Sequence, residues 1–166
     1  MRKLKNKKGF TCVEMLVCVL TLLMVGAICA TGTGISVKSY QQSRFESDSQ
    51  MLASTLDMGI GDVLRYASDI ETDGNGNVTA LTNHYYQMED GYISLNSEGY
   101  FRVCKSPYMP DKTFALIGEK AYAGDLYISE FELKYINEVF KGKYTIKSNA
   151  MQESKTCEFT FRPIAE

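Results

Sequence analysis

The chain of 166 residues has no tryptophan, one histidine and three prolines. A lone histidine cannot build a zinc site, and no cysteine lies near His84 in sequence. A serine triad needs a histidine with a positioned acid, whereas His84 stands beside Tyr85 and Tyr86 in a stretch that reads as strand. No Gly-x-Ser-x-Gly, Walker or Rossmann fingerprint occurs. The sequence therefore supplies no catalytic constellation. No enzymatic activity, metal or cofactor is expected. Eleven tyrosines in place of tryptophan give amphipathic strand faces.

Charge is also missing over a long stretch. No charged residue follows Glu14 until Lys38, and no proline breaks the run. Residues 10–30 hold three polar positions, Thr11, Glu14 and Thr21. At about 1.5 Å per residue, this segment is long enough for a bilayer core of roughly 30 Å. Gly26, Gly32 and Gly34 soften the helix without stopping it.

What precedes the run is basic. Arg2, Lys3, Lys5, Lys7 and Lys8 all lie before Gly9. With residues 1–9 set aside, 13 basic residues face 20 acidic ones, and the net charge moves from -2 to -7. An acidic body does not bind nucleic acid by simple phosphate neutralisation. The leading cluster reads instead as a topology signal held on the cytoplasmic side.

After Lys38 the pattern becomes amphipathic. Phe45, Leu52, Leu56, Ile60, Val63 and Ala67 recur at helical spacing, with Glu46, Asp48, Gln50, Asp57, Asp62 and Arg65 between them. One long helix is expected from about Phe10 to about Tyr66. "DIETDGNGNVTAL" (69–81) carries Asp-Gly and Asn-Gly turn dipeptides. Its acids fail the EF-hand pattern, because the twelfth position counted from Glu71 is Thr82. A hairpin turn is the simpler reading. Strands are expected over 78–88, 92–96, 100–104, 113–118, 126–136, 144–148 and 155–164. A turn is expected near Gly99. In the last strand Cys157, Phe159 and Phe161 alternate with Glu158, Thr160 and Arg162, the mark of a half-buried strand. The fold class is α+β: a long N-terminal helix, half bare and half packed on a small antiparallel sheet.

Of the five cysteines, Cys12, Cys18 and Cys29 lie in the apolar run and act as small hydrophobes. Cys104 and Cys157 lie in the remainder. There they would form a long-loop disulfide if that part is exported, or stay as buried thiols.

The stretch "KKGFTCVEMLV" (7–17) puts a glycine after basic residues. Then come Phe10, a hydroxyl residue and an acid four residues after the phenylalanine, ahead of an apolar run. This resembles the type IV pilin superfamily of pilins, type II secretion pseudopilins and competence pilins. Cys12 stands where leucine or isoleucine is usual. The match covers about the first 40 residues.

The resemblance implies a pilin-like fold. A leader (1–9) would be removed by a prepilin peptidase between Gly9 and Phe10, and the new amine of Phe10 would be N-methylated. The mature chain would comprise a transmembrane and filament-core helix (10–35), an amphipathic continuation (36–66) and a C-terminal sheet domain (67–166). Glu14 would pair with a neighbouring subunit's N-terminal amine, and Thr11 would cap the first amides of the helix. Implied partners are the peptidase, other pilin or pseudopilin subunits, membrane lipid before assembly, and an inner-membrane platform with its ATPase. The N-terminus would begin cytoplasmic, with the C-terminal domain outside and later in a cell-surface filament. Cys12 and the divergent remainder favour a minor pilin or pseudopilin.

Two plainer readings compete. Glu14 could sit at the interface, favoured by the helix dipole alone. The apolar run could be an ordinary signal peptide or anchor of a cell-surface binding protein, with small residues for cleavage in "AICA" (27–30). A lipoprotein fits less well, since Ile28 precedes Cys29 where a small residue is expected.

Overall fold

A computed structural model describes residues 11–108, 112–123 and 125–164. One helix, α1 (Cys12–Arg65), is followed by β1 (Ser68–Thr72), β2 (Val78–Asn83), β3 (Met88–Leu95), β4 (Phe101–Cys104) and β5 (Thr113–Ala115). A short 3-10 turn (Glu119–Tyr122) then leads to β6 (Leu126–Ile136), β7 (Val139–Ser148) and β8 (Ser154–Phe161). The α+β class expected from the sequence is what is found. The strands form two antiparallel sheets rather than one, a five-stranded sheet β1-β2-β3-β4-β5 and a three-stranded sheet β6-β7-β8. The chain divides into two units, Met1–Arg44 and Phe45–Glu166.

In the second unit the helix buries its expected stripe. Phe45, Leu52, Leu56, Ile60, Val63 and Ala67 are all buried, joined by Ala53 and Leu64. Gly61, inside the covered part of α1, has a packing reason. A Cβ on Gly61 would stand 3.0 Å from the Phe161 ring, so β8 lies against bare helix backbone there.

Three polar contacts fix the helix on its cover. The Tyr144 hydroxyl from β7 bonds Asp57 Oδ1 (2.9 Å) and the Ala53 carbonyl (3.2 Å). Asn83 Nδ2 from β2 donates to the Val63 carbonyl at 2.8 Å, in a buried position. The amide of Ile164 donates to the Arg65 carbonyl at 2.7 Å, which satisfies one of the last open carbonyls of α1.

The sheets meet through aromatic rings and backbone. Phe101 of β4 packs edge-on against Phe131 (4.8 Å) and Tyr144 (5.9 Å) of the smaller sheet. The tips of two hairpins dock on β6: Tyr135 N–H donates to Gly76 O (2.8 Å) and Ile128 N–H to Gly99 O (2.9 Å).

Several strand expectations are revised. Residues 78–88 are not one strand, because Asn83 Oδ1 accepts the Tyr86 amide and Gln87 takes a positive φ of 52°, turning the chain. β1 was not expected; its acids and nearby turn residues hide it. β7 begins at Val139, five residues before the expected start. Gly142, which breaks the strand pattern, lies under the Phe159 ring, which occupies the place a Cβ would take. The turn near Gly99 is present, with Gly99 at φ 78° and its N–H bonded to Asn96 O.

Two buried tyrosines carry a pH consequence. Burial pushes the Tyr122 hydroxyl up to about 12, and burial, with the Asp57 carboxylate nearby, holds that of Tyr144 higher still. The unfolded groups release their protons near pH 10. Both folded pKa values are raised, so their contribution is complete below about pH 10 and is lost as pH rises towards 12. Urea denaturation across this range is expected to show falling stability, with a smaller fall in Tyr122→Phe. Constant stability from pH 9 to 12 would refute it.

Candidate functional site: the uncovered helix and its first turn

The described part of α1 before Phe45 has no cover. Every side chain from residue 11 to 44 is exposed. They include thirteen large apolar ones between Val13 and Val37, such as Leu22 at 71% and Ile28 at 69% of full exposure. This is one helix near the N-terminus that is long and apolar enough to cross a membrane.

The backbone and hydroxyls of this segment are internally satisfied. Thr21 Oγ1 donates to the Cys18 carbonyl (2.9 Å), Thr31 Oγ1 to Ala27 (3.1 Å) and Ile28 (3.0 Å). Thr33 Oγ1 donates to Ala30 (3.0 Å) and Ser36 Oγ to Gly32 (2.9 Å). Such back-bonding removes the orphan hydroxyls that hydrocarbon would penalise. The sequence carried the signal for it: each hydroxyl residue has a helix carbonyl three or four positions earlier. The "ATGTGIS" stretch is helical throughout despite its glycines.

Gly9 and Phe10, the expected cleavage and methylation positions, lie outside the described residues. Thr11 and Glu14 are brought together. The Thr11 amide donates to Glu14 Oε2 at 2.8 Å, and the Thr11 hydroxyl donates to the same oxygen at 3.0 Å. The Glu14 amide contacts Thr11 Oγ1 at 3.3 Å. Thr11 stands just before the first helical residue and Glu14 is the third, so this is a reciprocal capping box. Two open N–H groups are satisfied by one pair of side chains. The acid also sits at the positive end of the helix dipole. Among the described residues only Oε2 of Glu14 is engaged.

Cys104 and Cys157 are both free thiols, on different sheets. Cys104 is buried, with Sγ 3.3 Å from the Ser106 carbonyl. Cys157 is half-buried, and burial pushes its thiol up. The acidic turn at 69–77 has its own use for its carboxylate. Asp73 Oδ1 accepts the amides of Asn75 (2.9 Å) and Asn77 (2.8 Å), and Oδ2 accepts Asn77 Nδ2 (2.7 Å). These bonds, those from Asn77 above all, hold the Asp73 carboxyl below its ordinary range.

Comparison of the chain with protein-family models, curated proteins and solved structures finds no match. A functional reading therefore rests on the residues themselves.

The free thiols give a direct test. The intact chain is expected to keep its mass on treatment with a reductant. A gain of two hydrogens, abolished by Cys104→Ser and by Cys157→Ser, would establish a bond between these two.

Proposed function

We propose that this chain is a subunit, of minor pilin or pseudopilin type, of a pilin-like filament. The observation that carries the reading is the uncovered apolar helix whose first turn is closed by Thr11 and Glu14. A carboxylate in a membrane-ready segment is costly. The capping box explains why the acid fits the first turn, but it leaves the negative charge in place.

Cleavage after Gly9 would expose the amine of Phe10 on each subunit. In a filament that cation would approach the Glu14 of a neighbour, where the unengaged carboxylate oxygen could receive it. The pair would set the register between subunits, and a dry surrounding would screen it little. Before assembly the helix would sit in the membrane as a single span, with the basic residues inside and the C-terminal unit outside. The chain would be the substrate of a prepilin peptidase and would be assembled by a membrane platform with its ATPase.

The intact mass of the mature protein from its native host is expected to correspond to a chain starting at Phe10 with one added methyl group. A chain starting near Ala30 or Thr31 would overturn the reading in favour of an ordinary signal peptide.

Two variants separate the cap from the charge. Glu14→Gln keeps an oxygen for the Thr11 amide but carries no charge, whereas Glu14→Ala loses both. Both are expected to be processed after Gly9 and to enter filaments at least about tenfold less, the equivalent of 1.4 kcal/mol. Immunoblots of sheared filaments measure this. Normal incorporation of Glu14→Gln would show that the acid serves only as a cap.

A further inference from the structure

A cleft of about 580 Å³ opens in the second unit where α1 ends, walled by residues from that end, β1, the β2–β3 turn, β6 and the C-terminal segment. That volume is in the range of small-molecule sites. Three features meet in it.

The first is an aromatic platform. Tyr66 and Tyr85 are exposed, at 44% and 78%, yet their rings touch at 5.0 Å between centroids with a 40° tilt. Two large rings held together in water form an open apolar surface beside hydroxyl groups. Tyr135 lines the same cleft.

The second is a bulge in β1. Ser68 pairs with Thr82 and Glu71 with Ala80, so β1 carries one extra residue between these pairs. Asp69, inside the bulge, takes a positive φ of 45°. Bulges re-aim side chains, and left-handed non-glycine residues collect at functional positions. The third is the charge of the lining, where Asp69 and His84 stand without any lysine or arginine.

We infer that this cleft binds a saccharide. The chemistry of the wall selects among ligands. An anion would meet Asp69 and no lysine or arginine. A quaternary cation is held between separate aromatic walls, whereas Tyr66 and Tyr85 make one joined surface. A sugar ring offers a C–H face for the tyrosines and hydroxyls for Asp69 and His84. The cleft lies wholly within the Phe45–Glu166 unit, and the inference does not depend on the filament reading.

The test uses the full chain in phosphatidylglycerol nanodiscs, which carry no sugar headgroup. Saturation-transfer NMR is run with cellobiose, lactose, maltose and chitobiose, and with tetramethylammonium as the competing chemistry. At least one disaccharide is expected to receive saturation from the protein, strongest at ring C–H protons. Tyr85→Ala, at an exposed position, is expected to weaken that sugar about tenfold. Tyr108→Ala, which alters an exposed tyrosine outside the cleft, is expected to leave binding unchanged. Binding of tetramethylammonium alone would overturn the inference in favour of a cation site. No binding of any sugar, or binding indifferent to Tyr85→Ala, would also overturn it.

Discussion

An apolar side chain of the size of leucine or valine gains about 1.5–3 kcal/mol when it leaves water. Between Val13 and Val37, α1 carries thirteen such side chains with no cover of their own. No loop or strand of the described chain lies over them. Water is therefore a poor working solvent for this segment, which is long and apolar enough to cross a membrane. The polar groups obey the same constraint. Thr21, Thr31, Thr33 and Ser36 all turn their hydroxyls back onto the helix, and the first turn closes itself through Thr11 and Glu14. In water these bonds would add little, since solvent would satisfy the same groups. In hydrocarbon they decide whether the segment is tolerated.

From Phe45 onward the chain solves the same problem internally. The stripe is covered, and specific polar bonds hold the cover in register. Tyr144 and Asn83 come from different sheets, and each bonds a carbonyl of α1. Each of those carbonyls has a second lone pair, so the helix ladder need not yield. The Tyr144–Asp57 bond also fixes the rotation of the helix about its axis, since Asp57 faces β7 only when Leu56 and Ile60 face the core. Apolar burial drives the packing, and these few bonds select one arrangement of it.

Periodicity made the covered stripe legible in advance, because burial on one side of a helix leaves a repeat that no other structure mimics. The same holds for β8, where Phe159 is buried and Glu158 and Thr160 are exposed. β6 was legible from end to end as a run of aromatic and β-branched residues.

The failures share a cause: tertiary contacts that a local pattern cannot contain. Gly142 looks like a break until the Phe159 ring is laid over it. The β6–β7 turn uses Asn137 and Glu138, both at positive φ, in place of the usual Asn-Gly signal. The split into two sheets depends on which hairpins dock on β6. At the first turn, the Thr11–Glu14 spacing was readable because a capping box is local. The cleft was not, because its platform joins Tyr66 from the end of the helix to Tyr85 from a strand turn.

The capping box narrows what Glu14 can mean. A threonine three residues before a glutamate accounts for the acid's position in any helix, soluble or not, so position alone does not argue for assembly. Charge does. Threonine hydroxyl and amide donors can satisfy a neutral acceptor equally well, and a glutamine would cap this turn without the cost of burying an ion. The cap stabilises the carboxylate through dipoles, yet no cation among the described residues bonds it. In the proposed filament, a full charge retained where a neutral amide would serve the local structure would be offset by a partner of opposite sign. The segment itself carries no other charge until Lys38, so that partner would come from the start of a neighbouring chain. The amine that cleavage before Phe10 would expose fits this role, and each subunit would supply one to the next.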